Sequence, residues 1–153
     1  MRKQIYLALT ERLKQITDEN QKPKIKHFDL WNRNIEFAET DGVFPLPAVF
    51  IEFQPIAWKK SPNGRQEAQV RVHLHIATEA KAPTDDKSKH LERSLIFFDL
   101  IDEINQSLSF FKGDGFGIFC RVESLTNHDH AEILESIEVY ETHVIDGSGV
   151  RKE

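Results

Sequence analysis

The sequence predicts an α+β fold: an antiparallel β-sheet with two helices packed on one face, in the order α-β-β-β-α-β-β. Three patterns carry that prediction. Residues 48–55 set Val49, Ile51 and Phe53 against Phe50, Glu52 and Gln54, and residues 68–79 set Val70, Val72, Leu74 and Ile76 against Arg71, His73 and His75. A period of two places each set on one face of a pleated strand. Between the runs lies Pro62-Asn63-Gly64, a fixed φ followed by residues that tolerate positive φ, as a chain reversal needs. Two other stretches, around 5–16 and 91–108, repeat apolar residues every three or four positions, the spacing of a helix face laid on a core.

In chain order, Ile5, Leu9, Leu13 and Ile16 form the first helical stripe, ending near Asp18-Glu19-Asn20 before Pro23. Residues 24–31 read as a short strand. Residues 32–47 read as a long connection interrupted by Asp41-Gly42 and by Pro45 and Pro47, the latter handing into the first hairpin strand. After Ile76 comes a polar loop in which Thr84 is the expected N-cap, with Asp85 and Asp86 in the first helical turn, where the helix dipole favours negative charge. The second helix carries Leu91, Leu95, Phe98 and Leu108, its stripe widened by Ile96, Phe97 and Leu100, and Lys112-Gly113-Asp114-Gly115 stops it. Residues 116–125 and 133–145 alternate again and read as the closing strands, with Thr126 to His130 as the turn between them. The expectation is one domain over 1–146 and a flexible C-terminal tail over 147–153.

Composition excludes several classes of function. The net charge is −5 and no basic stripe is present, whereas phosphate neutralisation supplies most of a duplex binder's affinity, so no sequence-specific nucleic-acid partner is expected. Cys120 is the single cysteine, with no partner for an internal disulfide and no Cys/His array for structural zinc. Inside a strand, it reads as a buried, inert thiol. Residues 5–10 are too short for the apolar core of a signal peptide, and no run approaches the ~18 apolar residues of a membrane span. A soluble, intracellular chain without a membrane partner is expected. Phe occurs eleven times, more than a small core needs; most are expected to fill the core and some to sit at subunit contacts, where aromatic residues are enriched.

Two histidine clusters carry residues of metal-ligand type. His128-Asp129-His130 offers two imidazoles and a carboxylate, but these residue types are also what a solvated turn favours, and the turn reading wins. His73 and His75 project the same way from one strand, with Glu52 on the neighbouring strand as a conceivable third ligand. A half-polar outer sheet face accounts for them as well, and contact of that face with another subunit is the more attractive reading. Gly113-x-Gly115-x-Gly117 follows a helix and precedes a strand, the reverse of the order that aims amides at phosphate. The paired carboxylates, Glu135 with Glu138 among them, fall where a solvated face would put them. No catalytic residue, cofactor or enzymatic activity is expected.

The order of elements resembles the tail terminator or tail-completion proteins of long-tailed bacteriophages and prophages. The resemblance spans most of the chain. Phe44-Pro45-Leu46-Pro47-Ala48-Val49-Phe50-Ile51 is similar to that family's proline-led first core strand, and residues 66–76 to its second. Residues 91–108 match its helix behind the sheet, and residues 137–144 its terminal strand. The long connection over 32–44 departs from the pattern. The resemblance implies a ring, usually of six subunits, that caps the tail tube, stops its polymerisation and joins tail to head. Its partners would be the tail tube protein and the neck or connector protein, first in the bacterial host cytoplasm and then in the virion tail. On this reading Phe50, Arg71, His73 and His75 face a neighbouring subunit or the lumen. The alternatives are another head-tail connector protein or, in a different class, a small metal-dependent enzyme or ligand-binding domain using either histidine cluster.

Overall fold

The alternation of residues 66–79 runs through strand β4 (Gln66–Glu79), the middle strand of a sheet ordered β1 (His27–Leu30), β2 (Ala48–Phe53), β4, β6 (Ile133–Asp146) and β5 (Cys120–Asn127), with a sixth short strand paired to β4 off this path. The computed structural model describes residues 1–36, 44–80, 86–87, 91–128 and 132–150. Strand β2 (Ala48–Phe53) pairs antiparallel with β4 from Ala48 opposite Ala77 to Phe53 opposite Val72. The short β3 (Lys59–Lys60) extends this hairpin along the start of β4, and at its tip Asn63 and Gly64 take φ of 63° and 76°. On the other side β6 (Ile133–Asp146) pairs with β4 over all fourteen residues, and β5 (Cys120–Asn127) pairs with β6 through a bulge between Arg121 and Glu123.

The fold class is as expected, with one correction to the sheet. Strand β1 (His27–Leu30) joins β2 in parallel, His27 opposite Ala48, so the sheet is mixed rather than wholly antiparallel. Two consecutive parallel strands need a long crossover between them. The connection after Leu30 supplies it.

Helices α1 (Arg2–Leu13) and α2 (Leu91–Leu108) cover one face. Ile5, Leu9 and Leu13 from α1 and Phe97, Leu100, Ile101, Ile104 and Leu108 from α2 share one core with Val49, Ile51, Val70, Val72, Leu74, Ile76, Tyr140 and Val144. Thus β6 turns Tyr140 and Val144 to the helices, while Val139 lies opposite His73 on the other face. Residue 84 of the expected N-cap lies outside the described residues. The expected strand from residue 116 forms only at Cys120, because Phe116 and Phe119 turn inward to cluster with Phe111. Gly113 is the residue that lets them do so: a Cβ there would meet the Phe116 ring at 2.4 Å.

The opposite face is not bare. A second apolar cluster, Ile35, Ala48, Phe50 and Ala77, lies under Trp31, Phe44, Leu46 and Ile133. The described parts of the 32–47 connection therefore act as a cover for one end of that face.

Candidate functional site

Beyond this small cluster the outer face of β4 becomes polar. Odd-numbered residues of β4 point away from the helices, and Arg71, His73 and His75 occupy three successive outward positions. Pairing then fixes their neighbours. Glu52 lies directly across from His73, Phe50 across from His75 on β2, and Glu141 across from Arg71 on β6.

His75 is the centre of the arrangement. Its side chain is buried, and its ring stacks flat on Trp31, with centroids 3.8 Å apart and planes 3° apart. Its Nδ1 lies 2.7 Å from Glu135 Oε1 and its Nε2 lies 2.9 Å from Glu52 Oε2. Asn127 Nδ2 donates to the other Glu135 oxygen at 2.6 Å. His73 stands beside it with Nδ1 3.6 Å from the same Glu52 oxygen and 3.4 Å from Gln54 Nε2. Burial pushes the His73 imidazole below its ordinary value, against the opposing pull of Glu52, with His75 and Arg71 adding to the depression. One potential ligand atom from each of Glu52, His73 and His75 falls within 4.8 Å of the other two.

The four residues expected to meet a neighbour are thus placed differently. Arg71 reaches solvent and holds Glu141 through Nη2 at 2.7 Å and Nε at 3.0 Å. His73 is partly exposed. Phe50 is fully buried beneath Phe44 and Trp31, and His75 beneath Trp31, so both are covered within the subunit. Of the second cluster, His128 is exposed at the end of β5, while residues 129 and 130 lie outside the described residues.

Two expectations are corrected. Cys120 is exposed, because β5 is an edge strand among the described residues, the first seven of its eight residues exposed. Glu135 and Glu138 are buried rather than solvated, each 2% exposed. Their burial is sustained by hydrogen bonds: His75 and Asn127 serve Glu135, and Ser124, Ser136 and Arg121 serve Glu138. Sequence reasoning missed Glu135 and Trp31 as partners of His75. The only signal was the outward parity of β4, which names no partner sixty residues away. A cleft of about 460 Å³ between Lys24, Lys26 and the α2 residues Ile96, Phe97 and Leu100 shares no residue with the cluster; Asp18, Asp99 and Glu103 also line it, and Glu103 pairs with Lys24 at 2.6 Å.

Other exposed apolar groups lie along α2 and β5. Leu95, Ile96 and Phe98 are 46–60% exposed on α2, and Val122 and Leu125 are exposed on β5. Phe110, just past α2, is 83% exposed and held at φ 61°, a conformation that bulky side chains rarely adopt. No helix among the described residues is long and apolar enough to cross a membrane.

No protein-family model matches the chain, and no curated protein matches it. Among solved structures the chain is similar in fold to a chain of "Virion of native gene transfer agent (GTA) particle", with a TM-score of 0.58 at 11% identity, covering 93% of this chain and 95% of that one.

Proposed function

We propose that the chain is a structural protein of a phage-like particle and, within that class, a tail terminator. The observation that carries the first step is the fold likeness to a gene transfer agent virion chain, which extends over nearly the full length of both. The second step rests on the element order and on the proline-led entry into β2. In this reading a ring, usually of six subunits, caps the tail tube, halts its growth and receives the neck protein. The protein acts by contact rather than catalysis.

The surface suits assembly. Among the described residues strand β5 leaves one edge of its backbone unpaired, and natural proteins cover such edges or use them. Phe110, Ile118 and the α2 residues Leu95 and Phe98 supply apolar area near it, as subunit contacts need. Arg71 and His73 are the outward members of the predicted lumen or subunit face, with Phe50 and His75 supporting them from beneath.

The test combines mass in solution with tube capping. Light scattering across a concentration series is expected to show growth toward six times 17.7 kDa. Added to the polymerising cognate tube protein, the chain is expected to cap tube ends and stop elongation. Unchanged tube growth with no protein at the ends, seen by electron microscopy, refutes the terminator role. Binding to the neck alone would assign the chain to another position in the head-tail connector.

A further inference from the structure

We propose that Glu52, His73 and His75 form a binding site for a divalent transition-metal ion of the zinc class. The site stands apart from the role in particle assembly. Three observations meet there.

The first is ligand geometry. Glu52 Oε2 lies 2.9 Å from His75 Nε2 and 3.6 Å from His73 Nδ1, and the three ligand atoms all fall within 4.8 Å. With metal–ligand bonds of about 2.0–2.2 Å, ligand atoms around a tetrahedral ion stand roughly 3.3–3.6 Å apart. The cluster needs only side-chain adjustment to reach that spacing. The Gln54 amide, 3.4 Å from His73 Nδ1, must give way.

The second is the hydrogen-bond count at His75. A neutral imidazole has one N–H to donate. Given to Glu135 through Nδ1, it leaves the Nε2 lone pair facing a Glu52 oxygen at 2.9 Å. A lone pair and a carboxylate oxygen that face each other at this distance leave a place between them that a cation can fill.

The third is the support behind the ligands. A ligating histidine that donates its other N–H to a carboxylate is held in the correct tautomer and orientation. Glu135 is placed for this, is fixed in turn by Asn127, and Trp31 clamps the ring plane. The remaining side of the cluster is open: the Glu52 side chain is 33% exposed and that of His73 18%. Two nitrogens and one oxygen suit zinc and its neighbours better than calcium or magnesium. An ion held there would tie β2 to β4 one residue pair before their pairing ends at Phe53 and Val72.

The experiment uses the full chain, stripped with a chelator and titrated with zinc chloride alone while bound metal and melting temperature are followed. One zinc per chain and a raised melting temperature are expected. His73→Ala and Glu52→Gln should each weaken binding by about tenfold or more, with an unchanged far-ultraviolet circular dichroism spectrum. No stoichiometric zinc on the wild type overturns the proposal, as does equal affinity in both variants. Should a variant fail to fold, imidazole nitrogen resonances of the wild type decide. Zinc-dependent shifts of His73 and His75 support the site, and shifts confined to other histidines overturn it.

Discussion

The two faces of the sheet are built on different principles. On the helix side, about twenty buried apolar residues among those described, from two helices, three strands and the segments that carry Ile25, Phe116 and Phe119, form one continuous core. On the outer side, four buried apolar residues occupy one end, and the chain beyond them is ordered by pairs such as His75 with Glu135 and Arg71 with Glu141. The first face is held by area removed from water, which is non-directional and tolerant of detail. The second depends on donors meeting acceptors at set distances, and an unmet buried group there costs as much as a lost core contact.

The sharpest test of this contrast compares Leu74→Ala on the helix side with Phe50→Ala on the outer side. Both side chains are fully buried, and each truncation is expected to cost about 3–5 kcal/mol in chemical denaturation. If the outer patch is only a segment resting on a finished domain, Phe50→Ala will cost far less. Amide exchange would then rise only around Trp31 and Ile35. Global loss in both variants makes the outer cluster part of one cooperative unit.

Next in size is His75→Ala. It strips Glu135 of a buried partner and leaves Asn127 as its remaining named donor. Breaking a buried pair by removing one member costs about 3 kcal/mol or more. The double variant His75→Ala with Glu135→Leu is expected to recover a good part of that loss, because replacing both members removes the stranded polar group. A double variant weaker than the single one would show that Trp31 stacking, not polar satisfaction, is what His75 contributes.

How much of this could be read in the sequence follows the same division. The helix-side core was legible residue by residue: Ile5, Leu9 and Leu13 sit at helical spacing, and Val70, Val72, Leu74 and Ile76 at strand spacing, and all are buried as expected. Periodicity is a local property, so a local reading finds it. The outer face was legible only as far as the outward parity of Arg71, His73 and His75 and the possible approach of Glu52. Glu135 reaches His75 only through the register of β4 on β6, and one residue of slip would turn it to the helices. The expectation that Glu135 is solvated failed for that reason, and that for Glu138 because it stands across from Leu74, on the helix-facing parity, where Ser124, Ser136 and Arg121 serve it. Alternation told their parity but not what stood across from them. The parallel entry of β1 was hidden in a connection whose course no local pattern encodes.

A smaller effect probes Tyr140, the polar tip in the helix-side core. Burial raises its hydroxyl above the ordinary 10.0, Arg121 opposing and Glu138 adding to the rise. From about pH 10 upward the unfolded chain therefore gives up a proton that the folded chain keeps, so stability falls as pH rises. Tyr140→Phe should cost about 1 kcal/mol at neutral pH, through the 3.4 Å contact with Asn105 and the changed packing. It should also flatten the alkaline decline. An alkaline slope as steep as in the wild type would mean that Tyr6, whose hydroxyl is raised chiefly by burial with Asp29 adding, governs it instead.

The smallest expected effect is at Arg71. Its pair with Glu141 is well formed, yet the two side chains are 47% and 33% exposed. Solvent screening holds such a pair to about 1 kcal/mol or less, and added salt lowers it further. Arg71→Ala should therefore leave the unfolding midpoint of the subunit nearly unchanged. In the proposed ring the outcome differs, because a charge that reaches solvent in the monomer can meet a neighbour in the assembly. His73→Ala, compared with the wild type in the presence of a chelator so that loss of a metal ligand does not enter, belongs with it as the second outward residue. Loss of rings in either variant, with subunit stability intact, would locate an assembly contact on this face. Intact rings in both would move the contact to β5 and Phe110, where the exposed edge and the apolar side chains lie.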